Sequence, residues 1–181
     1  MAGLKPVVEI MCIDFIATVM DQVVNQAAKI FFMSGNQISV PLVIRAPCGI
    51  GSREAAQHSQ SPEAWFVNTP GLKVVMPSTA YDAKGLLKTC IRNNSPVIFI
   101  ENRMLYFVKE KMPEGEWLIP LGQAAIKREG KDITVVALSD MVPKVMQAAD
   151  SVAGEISVEI IDPRSLSAVL VLSSDKDRQH R

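Results

Sequence analysis

The amino-acid sequence predicts an α/β protein in which a parallel sheet carries helices on both of its faces. Short apolar runs alternate with stretches whose apolar residues recur every three or four positions, in the order strand, helix, strand, helix, strand, helix, strand. The apolar runs also show little alternation of polar and apolar residues, which is typical of strands covered on both faces. Both observations favour a doubly covered parallel sheet.

The elements of this sheet follow one another in the first hundred residues. A strand is predicted at residues 6–11 and a long helix at residues 15–33, whose apolar side chains form one broad face. Asp14 stands where it can cap this helix. The remaining elements are a strand at residues 40–45, a loop of small residues at 46–60, a helix start at Ser61-Pro62-Glu63, a strand at 73–76, a helix from a Ser78 cap to about Arg92, and a strand at 96–101.

A change in composition marks the end of the sheet. The residues that follow it hold prolines, a glycine and mixed charges, as an interdomain linker does. A second unit then shows a strand at 133–137, a helix at 142–152 and a strand at 156–161. Because one such unit cannot close a core, this domain is predicted to be cut short. The predicted division is 1–101 for the sheet domain, 102–122 for the linker, 123–167 for the start of the second domain and 168–181 for a divergent tail.

Composition excludes several classes of function. Lys and Arg together number 19, as do Asp and Glu, so the chain has no basic footprint for nucleic acid. The apolar runs are too short to cross a bilayer, and no signal peptide is visible. Three widely spaced cysteines fit no zinc pattern and indicate a reducing compartment. The glycines at 49 and 51 do not form a phosphate-binding motif, because no third glycine and no helix follow.

Two side chains stand where open α/β sheets bind ligands, beyond the carboxyl ends of strands. His58 lies on the loop after the second strand and is suited to proton transfer near neutral pH, although it could also be a surface or packing histidine. Phe15 follows the first strand, where a core phenylalanine is the more common interpretation. Glu9 lies within a strand, and an edge or interface role is favoured over a catalytic one.

Seven segments add a resemblance, because they occur together in one order: residues 1–11, 21–29, 33–35, 55–60, 70–75, 82–87 and 160–166. They resemble the β subunit of the decarboxylating, thiamine-diphosphate-dependent component of 2-oxo acid dehydrogenase complexes. The most specific of them is Ala55-Ala56-Gln57-His58-Ser59-Gln60, which argues against other thiamine enzymes such as transketolase. The resemblance covers about residues 1–167.

The resemblance implies a transketolase-like pyrimidine-binding domain followed by the start of a C-terminal domain. It implies an α2β2 heterotetramer with thiamine diphosphate between subunits. The α subunit would hold the diphosphate and Mg²⁺, and the β subunit the aminopyrimidine. The implied reaction is oxidative decarboxylation of a 2-oxo acid with acyl transfer to lipoyl on an acyltransferase component. A cytoplasmic location is favoured, or the mitochondrial matrix in a eukaryote. Neither nucleic acid nor a membrane is expected as a partner.

The same resemblance implies roles for individual residues. Phe15 would stack on the aminopyrimidine ring, and His58 would donate a proton or stabilise charge at the reacting centre. The family's glutamate that bonds the pyrimidine has no counterpart here, so this chain alone is predicted to be inactive. Some members bind K⁺ through a loop that matches Leu42, Cys90, Ile91, Asn93 and Ser95. Here Asn93 and Ser95 replace the aspartate and asparagine of that pattern, which argues against K⁺.

Two alternatives stay open at this point. One is an acetoin-cleaving homologue with the same fold and cofactor. The other is a non-catalytic assembly fragment that keeps the helix at residues 15–33 as a subunit interface.

Overall fold

Four parallel strands form the first sheet of the computed structural model, which describes residues 3–49 and 51–167. The strands are β1 (Val7–Glu9), β2 (Val43–Cys48), β3 (Lys73–Val75) and β4 (Val97–Asn102). Their spatial order is β1-β2-β4-β3, so β2 and β4 lie in the centre. Arg45 on β2 stands opposite Phe99 on β4, and Glu9 on β1 stands opposite Arg45. The predicted strand order along the chain is confirmed, with bounds shifted by up to three residues.

Helices cover both faces of this sheet, as predicted. One face of the central strands packs with Ile13, Ile16 and Phe66. The other face packs with Leu86 and Cys90. The two regular helices are α2 (Glu63–Val67) and α3 (Ala80–Arg92), and α1 is the short helix Ile30–Met33. Each central strand therefore buries successive side chains in two different cores, which explains the unbroken apolar runs.

The helix predicted at residues 15–33 is not one regular helix. The chain turns as a 3₁₀ helix over Ile13–Val19, a π-helix over Gln22–Ala27 and then α1. Residues three apart align in 3₁₀ turns, which brings Ile13 and Ile16 to the core together. In the π segment, the N–H of Ala28 donates to the carbonyl of Val23, five residues back, at 3.0 Å. The turn type follows the spacing of the side chains that must be buried.

Helix α3 begins with a different cap from the one predicted. Thr79, not Ser78, accepts a hydrogen bond from the N–H of Asp82 at 3.0 Å. Ser78 Oγ instead donates to Asp162 Oδ2 across the domain junction. At α2, Ser61 Oγ bonds the carboxylate of Glu63 rather than a backbone N–H, so it is not a cap there. In both cases a carboxylate competes successfully with the backbone for the hydroxyl.

The elements of the second domain are β5 (Ala125–Arg128), β6 (Ile133–Val136), α4 (Met141–Ser151) and β7 (Val158–Asp162). Its strands form a three-stranded mixed sheet of order β5-β7-β6. Strands β6 and β7 run parallel, and β5 is antiparallel to β7. The predicted strand-helix-strand unit is confirmed, and β5 is an addition. Its sequence, half of it charged, gave no apolar run to find it by.

Residues within the predicted linker pack on the first domain. Ile119 is buried against α3 together with Trp117 and Leu121. A Cβ on Gly85 would stand 2.8 Å from the side chains of both Trp117 and Ile119, so only glycine permits this approach. The segment therefore completes the core under α3 before the chain enters the second sheet.

The chain returns to the first sheet after β7. The N–H of Met76 donates to the carbonyl of Arg164 at 2.9 Å, and the N–H of Leu166 donates to that of Val74 at 2.9 Å. Val75 and Ser165 form an antiparallel bridge. This return segment, residues 164–167, covers the outer edge of β3. The predicted tail at 168–181 lies outside the described residues.

Four charged side chains are enclosed where the two domains meet. Arg164 Nη1 lies 3.1 Å from Asp82 Oδ1, and Lys127 bonds Asp82 Oδ2. Lys127 also stands 3.7 Å from Asp162. Burial by itself would raise the pKa of Asp82, but hydrogen bonds from Lys127, Thr79 and Arg164 outweigh it and hold the pKa below its ordinary value. Burial dominates at Asp162 and raises its pKa.

Candidate functional site

Phe15 and His58, the two predicted site residues, lie in contact. Their ring centroids are 5.3 Å apart and the ring planes meet at 72°, an edge-to-face arrangement. Phe15 belongs to the 3₁₀ helix after β1, and His58 ends a short 3₁₀ turn, Ala56–His58, after β2. The Phe15 side chain is 48% exposed and His58 is half-buried. The pair thus offers an accessible aromatic face beside a titratable group.

The loop between β2 and α2 follows an unusual path to present His58. A Cβ on Gly49 would stand 1.5 Å from the carbonyl oxygen of His58, so the two backbone segments touch. Arg53 and Ala55 both have positive φ, 58° and 64°, although neither is glycine. Such conformations cost free energy and persist only where the surroundings hold them. The loop is therefore fixed by contacts outside itself.

Asp14 supplies one of those contacts. Its Oδ1 accepts from the N–H of Gln60 at 2.9 Å, and its Oδ2 accepts from Cys12 Sγ at 2.8 Å. Burial alone would raise the pKa of Asp14, but these hydrogen bonds hold it below its ordinary value. Asp14 was predicted to cap a helix, and this was wrong. It instead ties the segment carrying Phe15 to the loop carrying His58.

Arg103 supplies the other contact, which sequence reasoning missed. Its guanidinium bonds Glu54 in the His58 loop and donates to the carbonyl of Met11 at 3.2 Å in the Phe15 segment. Glu54 and Arg103 are 49 residues apart in sequence. No local sequence pattern could have paired them, because each residue taken alone resembles an ordinary charged surface residue.

A second polar group lies at the same end of the sheet, on the α3 side. Arg45 holds Glu101 through Nε at 2.7 Å and Nη2 at 2.9 Å, and Tyr106 donates to the same carboxylate. Burial, and then the bond to Glu101, raise the pKa of Tyr106. Glu9 stands at the sheet edge, 3.5 Å from Arg45, as an edge role predicts. Arg45, Glu101 and Tyr106 border a cavity of about 360 Å³ that neither Phe15 nor His58 lines.

The residues predicted for K⁺ lie at the opposite end of the sheet. Leu42 precedes β2, Cys90 and Ile91 end α3, and Asn93 and Ser95 form the turn before β4. The carbonyl of Leu42 accepts from the N–H of Val97 at 2.8 Å, and Asn93 Oδ1 accepts from the N–H of Ser95 at 2.8 Å. In the described part of the chain, no three His, Cys, Asp or Glu side chains converge as a metal site.

The sequence matches the pyrimidine-binding domain of transketolase over residues 1–109. The chain belongs to this family. A second match, to the transketolase C-terminal domain, spans residues 122–170. Together they confirm the fold class and the resemblance seen in the sequence. Within the described residues, no helix is both long and apolar enough to span a membrane.

Several β subunits are similar to this chain. That of acetoin:2,6-dichlorophenolindophenol oxidoreductase from Cupriavidus necator is 49% identical over 91% of this chain and 49% of its own length. The pyruvate dehydrogenase E1 β subunit of Rhizobium meliloti is 48% identical over 92% of this chain and 36% of its own length. The 2-oxoisovalerate dehydrogenase β subunit of Bacillus subtilis is 45% identical, over 92% and 51%. The chain spans about half the length of such relatives, or less.

Several transketolases of known structure share this fold. A split-gene transketolase, described as an inactive β4 tetramer, superposes with a TM-score of 0.72 at 21% identity, over 90% of this chain and 50% of that chain. Transketolase from Leishmania mexicana gives 0.68 at 18% identity, over 90% and 23%. At these identities the likeness shows the fold alone.

Proposed function

We propose that this chain forms the pyrimidine-binding half of a thiamine diphosphate site, as part of the β subunit of a 2-oxo acid dehydrogenase. The observation that carries the proposal is the contact between Phe15 and His58 at the carboxyl ends of β1 and β2. This is the end of a parallel sheet at which ligands bind. The names of the similar β subunits support the same reaction class.

The residues present fit the aminopyrimidine of the cofactor. The half-exposed ring of Phe15 offers a flat apolar surface on which a heteroaromatic ring can stack. His58 stands at the edge of that ring, within reach of a group bound there. The diphosphate and its Mg²⁺ would be held by an α subunit.

The chemistry divides between cofactor and protein. Thiamine diphosphate supplies the carbon nucleophile that makes decarboxylation of a 2-oxo acid possible. Phe15 orients the pyrimidine, and His58 holds or donates a proton at the oxygen of the reacting carbonyl group. Asp14, through Gln60, fixes the distance between the two. The product acyl group would pass to lipoyl on an acyltransferase component.

The substrate class has two candidates. Pyruvate and branched-chain 2-oxo acids follow from two of the similar β subunits. Cleavage of acetoin is supported by two acetoin oxidoreductase β subunits, at 49% and 48% identity, while the pyruvate dehydrogenase subunit is also 48% identical. Both reactions would use the same Phe15–His58 pair. The partner in either case would be an α subunit in an α2β2 assembly.

A reducing compartment suits the three cysteines, which are all buried. The similar proteins come from bacteria and, in plants and cattle, carry mitochondrial names. We therefore place the protein in the cytoplasm of a bacterium, or in the mitochondrial matrix of a eukaryote. K⁺ at the turn before β4 remains a prediction, and Asn93 and Ser95 argue against it.

The test is His58→Ala in an assembled α2β2 enzyme that contains this sequence. Pyruvate, 2-oxoisovalerate and acetoin are supplied separately, and acylation of lipoyl is followed. Loss of a positioned acid or base should lower turnover by about 10²- to 10⁴-fold. His180→Ala serves as the control and should leave turnover unchanged. Unaltered turnover in His58→Ala would contradict the role of His58, and turnover without thiamine diphosphate would contradict the function.

A further inference from the structure

We propose that Arg103 is a positioning residue that locks the His58 loop against the segment carrying Phe15. The role that we assign to Arg103 in the reaction rests on the proposed function, whereas its contacts do not depend on that function. Arg103 acts through Glu54 and through the carbonyl of Met11, one in each of the two segments.

The anchor of Arg103 is rigid. Strand β4 ends at Asn102, which is buried, and every residue of that strand is buried. Asn102 Oδ1 accepts from the N–H of Met104 at 2.8 Å and so caps the 3₁₀ helix Arg103–Phe107. The guanidinium is thus carried by the residue that directly follows a central, fully buried strand.

The loop that Arg103 holds needs such an anchor. Glu54 lies between Arg53 and Ala55, the two residues with positive φ. Its own N–H donates to Ser59 Oγ at 3.2 Å, next to His58. A contact to the Glu54 carboxylate therefore affects the position of the turn that carries the His58 imidazole. Without the ion pair, the two strained residues would relax towards ordinary backbone angles.

The planar guanidinium suits this task because it can bond two acceptors in fixed directions. A lysine could pair with Glu54 but would offer no such fork to the carbonyl of Met11. Arg103 pairs with the carboxylate of Glu54. It also lies near Cys12, whose thiol donates to the carboxylate of Asp14. Asp14 bonds Gln60 on the far side of the turn, so the two contacts hold the His58 loop from both ends.

The competing explanation is an ordinary surface ion pair with no influence on the site. The chain contains a matched example in Arg128 and Asp150. The arginine side chains are 23% exposed at Arg103 and 24% at Arg128. The carboxylate partners are 46% exposed at Glu54 and 70% at Asp150. Arg128→Gln therefore removes a similar pair far from His58.

The experiment reads the position of His58 by NMR of the full chain without cofactor. The chain has two histidines, His58 and His180, so His58→Ala assigns the imidazole signals. The shift that the Phe15 ring imposes on His58 is the difference between the wild type and Phe15→Leu. In Arg103→Gln and Glu54→Gln we expect most of this shift to disappear, while Arg128→Gln keeps it. Arg103→Lys should retain part of it.

A change in salt concentration tests the proposal without any substitution. At 1 M salt the screening length is about 3 Å, so an exposed pair such as Arg103–Glu54 weakens. The His58 signals should then move towards those of Arg103→Gln, and this arm together with Glu54→Gln decides the matter if Arg103→Gln does not fold. Wild-type His58 signals in Glu54→Gln, or equal changes in Arg128→Gln, would overturn the proposal. Failure of the function would show separately, as unchanged turnover in His58→Ala.

Discussion

The ring of Phe15 meets the imidazole of His58 edge to face, with centroids 5.3 Å apart, although 43 residues separate them in sequence. The contact joins two loops that leave adjacent parallel strands, β1 and β2. Neither ring is fully enclosed. The fold therefore brings an aromatic ring and an imidazole to one place and leaves both accessible.

Replacing Phe15 by leucine should weaken binding of thiamine diphosphate to the assembled α2β2 enzyme. A stacked aromatic contact contributes about 0.5–1.5 kcal/mol beyond its buried area, so we expect a loss of up to about tenfold. The stability of the chain should change little, because the side chain is half-exposed. Isothermal titration measures the affinity. Phe31→Leu, at 42% exposure, is the control and should bind as the wild type does. Equal affinity in both variants would contradict the stacking role.

A methyl group at position 49 should displace the His58 loop. The added Cβ of Gly49→Ala would overlap the carbonyl oxygen of His58, so one of the two segments must move. We expect a loss of about 1–3 kcal/mol in the free energy of unfolding, measured in urea, together with shifted His58 signals. Gly154→Ala is the matched control, because a Cβ there meets nothing within 4 Å. A neutral Gly49→Ala would mean that the loop is not held against β2.

The strands of the first sheet could be predicted from the sequence, whereas the long-range contacts that fix the site residues could not. Strands β2 and β4 were found because burial on both faces leaves an unbroken apolar run. Strand β5 was missed because two of its four residues are charged, so it carries no such run. Phe15 and His58 were found by position and resemblance. The residues that fix them, Asp14 and Arg103, act over 46 and 49 residues, and no local pattern records such a pairing.

Neutralising Asp82 should destabilise the junction between the two domains. Asp82→Asn leaves Lys127 and Arg164 enclosed with one fewer carboxylate. Removing one partner of a buried ion pair costs about 3–5 kcal/mol. Urea unfolding measures the loss. Asp150→Asn, which breaks the exposed pair with Arg128, should cost about 1 kcal/mol or less. Similar losses in the two variants would show that the Asp82 cluster is no stronger than a surface pair.

The two buried aspartates should respond to pH in opposite directions. The pKa of Asp82 is lowered in the folded chain, so its stabilising effect is complete above about 3.9, the value in an unfolded chain, and is lost as the pH falls through the lower folded value. The deficit of Asp82→Asn should therefore shrink below pH 4.

At Asp162 the pKa is raised, so the folded chain loses stability as the pH rises from about 3.9 through the higher folded value. The free energy of unfolding of Asp162→Asn should therefore increase relative to that of the wild type as the pH rises through this range. Unfolding in urea at several pH values checks both trends. Parallel curves for the two variants would contradict the opposed pKa directions.

Residues 164–167 return from the second sheet to cover the outer edge of β3, so the first sheet depends on the second for the protection of this edge. An uncovered edge strand offers unpaired N–H and carbonyl groups to other chains. If residues 164–167 moved away, the bonds from Met76 to Arg164 and from Leu166 to Val74 would break and that edge would be exposed. Local opening of the second domain would then expose a surface for aggregation on the first. The edge of the first sheet is therefore protected by a segment of the second domain, although each domain has a core of its own.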